Sequence, residues 1–305
     1  MIFLRPNQHR LPAPAGRLRT LLAAGGLIRA PGAVDALSAR LIEQAGFEAV
    51  HMTGGGIART LGVPDVGLVT MSEALECARS IAGAVSLPVI ADADTGYGNA
   101  INVIRTVREF EAAGVAAIHI EDQVTPKRCG HYEGGQLVSP GEMIGKIEAA
   151  CAARSNPDFL IIARTDARAS EGFDGAVRRA RAYRAAGADA LFVEAPESVD
   201  EIRNLVGLID APLLFNMYSG GKTPVVSVRD LRQFGCRIVI FPSHLQRAAI
   251  RGMQRALQLL LGEEASAAED ADLMVSFRER EAIAGLADMA ALEARYLAGP
   301  EMPDQ

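Results

Sequence analysis

The stretch EAAGVAAIHIE (residues 111–121) decides the fold that we predict for this chain. It ends a helical pattern at a glycine and then passes into a short apolar run. Three other stretches repeat this arrangement, namely EQAGFEAVHM (43–52), RAAGADALFVE (184–194) and RQFGCRIVIF (232–241). The glycine is typical of a helix C-terminus, and the apolar run is typical of a parallel strand buried on both faces. The repeats therefore indicate alternating helices and strands.

Four less regular apolar runs bring the number of predicted strands to eight. They are LIRAPG (27–32), SLPVIAD (86–92), PDFLIIAR (157–164) and APLLFN (211–216). Segments of helical length lie at 35–45, 71–84, 100–113, 140–154, 173–186, 199–208, 227–234 and 244–261. Eight alternations favour a closed (β/α)₈ barrel. An open doubly wound sheet is the alternative, because periodicity does not establish closure.

The domain boundaries follow from this count. We predict an N-terminal extension (1–17), the barrel (18–262) and C-terminal helices (263–305), with helical stretches at 266–284 and 286–298. These last helices exceed the eightfold pattern. They either complete the same domain or pack on a neighbouring subunit.

The composition excludes several classes of protein. The 305 residues carry 31 Lys plus Arg against 37 Asp plus Glu, so we expect no binding to nucleic acid. No apolar run has the length of a membrane span. The four cysteines lack CxxC spacing and are too few for a disulfide scaffold, which suggests the reducing cytoplasm. Arginines and prolines interrupt the first residues where a signal peptide would be apolar.

Polar residues follow the predicted strands at their carboxyl ends, where barrel enzymes carry their chemistry. They include Asp35, Thr53, Asp92, Asp94, Glu121, Asp122, Arg164, Asp166, Glu194, Asn216, Ser243 and His244. We interpret Asp35 and Asp166 as helix caps. Buried carboxylates are costly without a partner, so we interpret Asp92, Asp94, Glu121 and Glu194 as parts of a metal site. The oxygen-rich set favours Mg²⁺ or Mn²⁺ over zinc, and His119 lies on the same strand face as Glu121.

The predicted connection EDQVTPKRCGHYEGGQLVSP (121–140) is long for a loop between a strand and a helix. Such loops are usually lids or binding loops. Cys129 lies among the cationic residues Lys127, Arg128 and His131, which favours the thiolate form. We interpret this thiol as a proton donor or nucleophile, with an unreactive surface cysteine as the alternative. Cys77, Cys151 and Cys236 are interpreted as structural. The glycines at 54–56 form either an anion-binding backbone or a plain turn.

At TGGG, DADTGYGN, HIEDQVTPKRCGH, ARTDA, LFVEAP and NMYSGGKTP, the chain resembles the isocitrate lyase and phosphoenolpyruvate mutase superfamily. The resemblance covers about residues 18 to 298 and is greatest to the 2-methylisocitrate lyase branch and its 2,3-dimethylmalate lyase relatives. It implies a barrel whose last helices swap between subunits of a homotetramer, a dimer of dimers. It also implies an Mg²⁺-dependent retro-aldol cleavage of a small 2-hydroxy di- or tricarboxylate. We expect 2-methylisocitrate, giving pyruvate and succinate, before 2-alkylmalates, and hydrolysis of oxaloacetate third.

The resemblance also implies roles for individual residues. Asp92 matches the direct metal ligand, while Asp65, Asp94, His119 and Glu121 match the residues that hold the metal's waters. Thr53, Gly54 and Gly55 match the segment that binds the pyruvyl carboxylate. Cys129 matches the catalytic acid, with Glu121, Arg164 and His131 as further catalytic residues. The remaining expected substrate contacts are Lys127, Arg128, Gly130, Glu194, Asn216, Arg247 and Arg278.

Three departures from the superfamily pattern bear on the substrate. His51 replaces a tyrosine that is usual there, and Tyr132 replaces an arginine of the methylisocitrate lyases. The turn NMYSGGKTP is closer to that of dimethylmalate lyase and oxaloacetate hydrolase, with Ser219 in place of glutamate. These departures also motivate a hypothesis of another class, a barrel that binds a dicarboxylate without turnover. The metal and acid residues argue against that hypothesis.

Overall fold

The computed structural model describes residues 13–130, 132, 134–262 and 272–297. The strands are β1 (Ile28–Ala33), β2 (Val50–Met52), β3 (Val89–Asp92), β4 (Ala117–Glu121), β5 (Leu160–Thr165), β6 (Ala190–Val193), β7 (Leu213–Asn216) and β8 (Ile238–Phe241). The helices are α1 (Pro14–Ala23), α2 (Ala36–Gln44), α3 (Gly54–Thr60), α4 (Met71–Ala84), α5 (Ala100–Ala112), α6 (Pro140–Ala153), α7 (Arg168–Ala185), α8 (Val199–Leu208), α9 (Val228–Phe234), α10 (His244–Leu260), α11 (Phe277–Ala284) and α12 (Leu286–Tyr296).

The eight parallel strands close into a barrel in the order in which they occur along the chain. Closure is made by β1 and β8, which pair from Ile28 with Ile238 to Pro31 with Phe241. This confirms the predicted (β/α)₈ barrel and excludes the open doubly wound sheet. Each of the eight predicted apolar runs contains or overlaps a strand of the barrel.

The strand interiors change from apolar to polar along the barrel axis. A buried cluster at the amino ends contains Ile90, Ala117, Ile162 and Ala190. Two residues further along the same strands stand Asp92, His119, Arg164 and Phe192, which line a cavity at the carboxyl ends. Because side chains alternate with a period of two, the same strand face supplies both the core and the site.

Helix α1 packs against the amino ends of the strands. Its Ala15 and Leu18 belong to the buried cluster, and Arg237 before β8 donates a hydrogen bond to the Leu22 carbonyl. The helix begins at Pro14, inside the predicted N-terminal extension 1–17. Residues 1–12 of that segment lie outside the described residues.

The helix caps show one confirmed prediction and one error. Asp35 accepts a hydrogen bond of 2.7 Å from the Ser38 backbone N–H and caps α2, as predicted. Asp166 is not a cap, because α7 begins after Ala167 without a side-chain cap. Its carboxylate binds Arg164 instead. A neighbouring guanidinium is a stronger partner for a carboxylate than a backbone N–H, which explains the difference.

The glycines at 54–56 form the first turn of α3, a helix that the sequence pattern did not predict. Thr53 caps this helix by accepting a hydrogen bond from the Gly56 N–H. A Cβ on Gly54 would lie 2.6 Å from Asp92 Oδ2. Glycine therefore lets the α3 backbone approach the carboxylate at the end of β3.

The described residues up to Gln246 form one compact unit, and the described residues after it belong to a second. Helices α11 and α12 lie within the predicted stretches 266–284 and 286–298. Residues 263–271 and 298–305 lie outside the described residues, and subunit swapping stays a prediction. Among the described helices, none combines the length and the apolar character that crossing a membrane requires.

Candidate active site

A cavity of about 250 Å³ lies at the carboxyl ends of the strands. Eleven of the predicted site residues line it, namely Thr53, Gly55, Asp65, Asp92, His119, Lys127, Cys129, Gly130, Arg164, Glu194 and Asn216. Gly54 and Asp94 line a small neighbouring void that shares Asp65 and Asp92. Glu121 is buried behind Arg164, and Arg128 is exposed. His131 lies outside the described residues, and Arg247 and Arg278 belong to the second unit.

Lys127 lies between two carboxylates of the expected metal site. Its Nζ atom is 2.6 Å from Asp65 Oδ1 and 3.0 Å from Asp94 Oδ1, and the residue is only 6% exposed. Burial raises the pKa of Asp94 to about 6, although the ammonium opposes this change. Burial alone would lower the pKa of Lys127, but the carboxylates of Asp94 and Glu121 raise it well above its usual value. The lysine is therefore charged.

Two stacked histidines, His51 and His119, line the cavity beside Asp92. His51 Nε2 is 3.1 Å from His119 Nε2, and His119 Nδ1 is 3.5 Å from Asp92 Oδ1. Burial lowers the pKa of His51 to about 3 and that of His119 to about 4, so both rings are neutral at pH 7. The Asp92 carboxylate favours a proton on His119 Nδ1. His51 then donates through Nε2, which leaves His51 Nδ1 unprotonated.

Arg164 is fixed by three carboxylates. Its Nε and Nη2 bind both oxygens of Asp166 at 2.9 and 2.8 Å. Glu121 Oε2 is 3.2 Å from Nε, and Glu194 Oε2 is 3.3 Å from Nη2. The guanidinium also lies over the Phe192 ring, 4.9 Å from its centroid. Its direction is therefore set before a ligand binds.

Two acceptor atoms near Arg164 have no hydrogen-bond partner among the described residues. They are Glu121 Oε1 and Asn216 Oδ1, both buried. The Asn216 amide group donates to Glu194 Oε2 at 3.4 Å, which orients its oxygen. Burial raises the pKa of Glu121 well above its usual range, although Arg164 opposes the change. Buried orphan acceptors are costly, which favours a ligand or its waters as their partners.

The charges and donor atoms of this site fit a bound Mg²⁺ ion. The buried cations Lys127 and Arg164 lie among six carboxylates. These carboxylates belong to Asp65, Asp92, Asp94, Glu121, Asp166 and Glu194. A cation is needed before such a site can attract an anionic substrate. No three metal-ligating side chains in the described part of the chain form a ready cluster. Mg²⁺ does not require one, because it keeps several waters and uses one or two carboxylates.

The segment carrying Cys129 is held in place by several contacts. The Gln123 side chain binds the Arg128 backbone N–H at 3.0 Å and its carbonyl at 2.8 Å. The Cys129 N–H donates to the Asp65 carbonyl at 3.2 Å. Gly130 lies against the Arg164 cluster, since a Cβ there would lie 2.6 Å from Asp166 Oδ1. The thiol therefore lines the same cavity as the expected metal site and Arg164.

Three further polar side chains line the cavity, and our sequence analysis did not name them as candidates. They belong to Arg59, Tyr218 and Gln246. Arg59 Nη1 donates to the Gly55 carbonyl four residues earlier at 2.6 Å. The Gln246 amide group donates to the Gly56 carbonyl at 2.8 Å. Both contacts are made to carbonyl groups of α3. A sequence prediction that included this helix would have placed Arg59 at the cavity.

The family match covers most of the chain. The model of the family described as phosphoenolpyruvate phosphomutase matches residues 18–261. The chain is 46% identical over 286 residues to the 2,3-dimethylmalate lyase of Eubacterium barkeri, covering 93% of this chain and 99% of the relative. The chain belongs to the phosphoenolpyruvate mutase/isocitrate lyase superfamily. This superfamily also includes a 2-methylisocitrate lyase of Aeropyrum pernix, which is 48% identical over 251 residues, or 82% of this chain and 81% of that relative.

Several solved structures match the fold of this chain closely. The structure of a 2,3-dimethylmalate lyase aligns with a TM-score of 0.87 and 36% identity, covering 96% of this chain and 99% of that one. An oxaloacetate acetylhydrolase bound to 3,3-difluorooxalacetate aligns with a TM-score of 0.88 and 34% identity, covering 95% and 99%. A phosphonopyruvate hydrolase solved with oxalate and Mg²⁺ aligns with a TM-score of 0.83 and 36% identity, covering 94% and 100%. The resemblance drawn from the sequence motifs is confirmed.

Proposed function

We propose that this chain is an Mg²⁺-dependent carbon–carbon lyase that cleaves a small 2-hydroxy di- or tricarboxylate. The observation that carries the proposal is the placement of Cys129 on one cavity with Asp92 and Arg164. That cavity combines a proton donor, a carboxylate-rich metal site and a fixed guanidinium. We favour 2-methylisocitrate as the substrate, giving pyruvate and succinate. The nearly full-length likeness to a 2,3-dimethylmalate lyase supports 2-alkylmalates as the second candidate.

Asp92 would hold the metal directly, and Asp65, Asp94, His119 and Glu121 would orient its waters. The metal would act as a Lewis acid at the substrate's C2 oxygen. The backbone of Thr53, Gly54 and Gly55 lies beside Asp92 and would receive the neighbouring carboxylate. Arg164 would orient a carboxylate of the substrate, together with the amide group of Asn216. These contacts would hold the C2–C3 bond in one orientation before it breaks.

Two protons move during the cleavage. Glu121 Oε1 is buried and has no hydrogen-bond partner among the described residues, and the pKa of its carboxyl group is raised well above the usual range, so Glu121 would accept the C2 hydroxyl proton through a water. The C2–C3 bond then breaks, and the C2–O bond becomes the keto group of pyruvate. The electron pair stays on the other fragment as a carbanion delocalised into its carboxylate. Cys129 Sγ donates a proton to that carbon.

Metal removal tests the proposal most directly. Incubation with Mg²⁺ and a panel of 2-hydroxy acids should release a keto acid, EDTA should abolish the release, and Mg²⁺ or Mn²⁺ should restore it. Asp92→Ala should be the most damaging change among the metal residues, because it removes the direct ligand. Asp200→Ala is the matched control, since that carboxylate lies on the surface. Full turnover in metal-free buffer would contradict the metal assignment.

The same panel, with oxaloacetate added, separates the alternative functions. Oxaloacetate hydrolysis would give oxalate and acetate instead of a keto acid. A barrel that binds without turnover would bind oxalate in the presence of Mg²⁺, as calorimetry would show, and would release no product from any acid. Thermal unfolding should also report the metal, because free ion at 100 times its Kd stabilises the folded state by about 2.7 kcal/mol.

A further inference from the structure

Asp122 follows Glu121 directly, yet its carboxylate is fully buried outside the cavity lining. Its Oδ2 atom accepts hydrogen bonds from the Thr165 and Tyr183 hydroxyl groups, each at 2.7 Å. Its Oδ1 atom accepts one from the Asp166 backbone N–H at 2.9 Å. The side chain therefore joins the end of β4, the end of β5 and helix α7.

Arg179 on α7 binds both ends of the loop that carries Cys129. Its Nη1 atom is 3.3 Å from Asp122 Oδ2, where the loop begins, and 3.0 Å from the Val138 carbonyl, where it ends. The Val138 N–H donates to the Asp122 carbonyl at 2.9 Å, which closes the base of the loop. The Glu171 carboxylate holds the other edge of the guanidinium at 2.6 to 3.0 Å.

The same network also reaches Arg164. Asp122 holds the backbone of Asp166, and the Asp166 carboxylate holds two nitrogens of Arg164. Gly130, next to Cys129, lies against this Asp166 carboxylate. The buried Asp122 carboxylate thus contacts both the base of the loop, through Arg179, and the backbone of Asp166, whose side chain binds Arg164.

We propose that Asp122, Arg179 and Tyr183 form a positioning network, the loop clasp, which sets the Cys129 segment and Arg164 relative to each other. None of the three residues lines the cavity, so they act through other residues and are not catalytic. The alternative is that the clasp merely satisfies buried polar groups. The proposal rests on the proposed function for the roles of Cys129 and Arg164.

Tyr183→Phe is the sharpest test, because it removes one hydroxyl group and keeps the fully buried ring. That hydroxyl donates to Asp122 and accepts from Arg179 Nη1 at 3.1 Å. Ser86→Ala is the matched control, since it also removes a hydroxyl bound to a carboxylate, that of Glu43. Ser86 lies before β3, at the opposite end of the barrel. Both variants are measured well below their unfolding temperatures.

Three measurements distinguish positioning from plain stability. With Tyr183→Phe we expect the alkylation rate of Cys129, followed by peptide mass, to change at least threefold, and trypsin cleavage after the exposed Arg128 to accelerate. We expect kcat to fall about 10- to 100-fold with little change in KM, because small misplacements of reacting groups cost this much. Asp122→Asn should act in the same direction and more strongly. Ser86→Ala should leave all three measurements unchanged.

The outcomes separate this proposal from the proposed function. If Tyr183→Phe lowers only the unfolding temperature, and alkylation, cleavage and kcat match the wild type, the clasp is structural and the proposal fails. Alkylation and proteolysis need no turnover. If no acid is cleaved by the wild type, the proposed function fails, while these two measurements still decide whether the clasp positions the loop.

Discussion

At the scale of single residues, Cys129 gives the clearest prediction. A serine hydroxyl is far less acidic than a thiol, so Cys129→Ser should fold, bind substrate and lose the proton donor. We expect turnover to fall by about 10² to 10⁴, the usual contribution of a positioned general acid. Steady-state kinetics on the best substrate of the panel would measure this. Cys77→Ser is the control, because Cys77 lies on α4 and outside the cavity lining. Wild-type turnover in Cys129→Ser would remove the thiol from the mechanism.

His51 gives a prediction about stability and pH. Burial lowers its pKa to about 3, from an ordinary value of 6.5. Below pH 6.5 the unfolded chain therefore binds more protons than the folded one. The neutral His51 ring therefore contributes fully to the free energy of unfolding above pH 6.5. This contribution is lost as the pH falls towards 3, by at most about 1.4 kcal/mol per pH unit. In metal-free buffer, His51→Asn should make the free energy of unfolding less dependent on pH between 6.5 and 4.5.

Urea unfolding at a series of pH values measures that dependence. His244→Asn is the control, because it removes an exposed histidine by the same substitution. An unchanged slope in His51→Asn would show that the ring takes up a proton as readily in the folded chain as in the unfolded one.

Some positions in the site follow from the sequence, and others depend on which side chains meet in the folded chain. The positions of Asp92, His119, Arg164 and Glu194 on the cavity could be predicted, because a period of two places them beyond the apolar part of a strand. The role of Asp166 could not. A carboxylate that follows a strand can cap the next helix or bind an arginine, and the neighbouring side chains decide between the two. Here the Asp166 carboxylate binds Arg164.

At the scale of elements, Gly130 tests how the loop fits the site. A methyl group there would lie 2.6 Å from Asp166 Oδ1 and 2.8 Å from Arg164 Nη2. Gly130→Ala should therefore displace the Cys129 segment and lower kcat/KM at least tenfold, as expected when reacting groups are misplaced. The unfolding temperature should change little, because the adjacent loop is largely exposed. Kinetics and calorimetry on the same sample would check both.

Gly141→Ala is the control for that change. A Cβ at Gly141, in the first turn of α6 just after the loop, has no neighbouring atom within 4 Å. The kcat/KM of this variant should stay near that of the wild type. Equal losses in both variants would mean that the loss does not come from the contact of Gly130 with Arg164 and Asp166.

Helix α3 shows why one element was missed. Glycine is among the poorest helix formers, and three in a row predict a turn. Tertiary contacts prevail, because Thr53 caps the helix and Gln246 binds its Gly56 carbonyl. A side chain at Gly54 would meet Asp92. The lack of a Cβ, which makes glycine a poor helix former, is therefore what lets the helix approach the site.

At the scale of the whole molecule, helix α10 carries an unburied apolar stripe. Ile250, Met253, Leu257 and Leu260 are 41 to 61% exposed in the single chain. Their spacing of three, four and three residues puts them on one face of the helix. This spacing is typical of a helix that packs on another helix. It supports the predicted homo-oligomer, which the single chain does not test.

Substituting the centre of that stripe tests the assembly. Leu257→Lys places a charge where we expect a subunit contact, and burying an unpaired charge is costly, so the oligomer should dissociate at micromolar concentration. Gln258→Lys introduces the same side chain about 100° round the helix and should keep the wild-type mass. Light scattering distinguishes the two. If the contact also completes the site through Arg278, turnover should fall with Leu257→Lys and recover at high protein concentration. A wild-type mass for Leu257→Lys would show that the stripe is not a subunit contact.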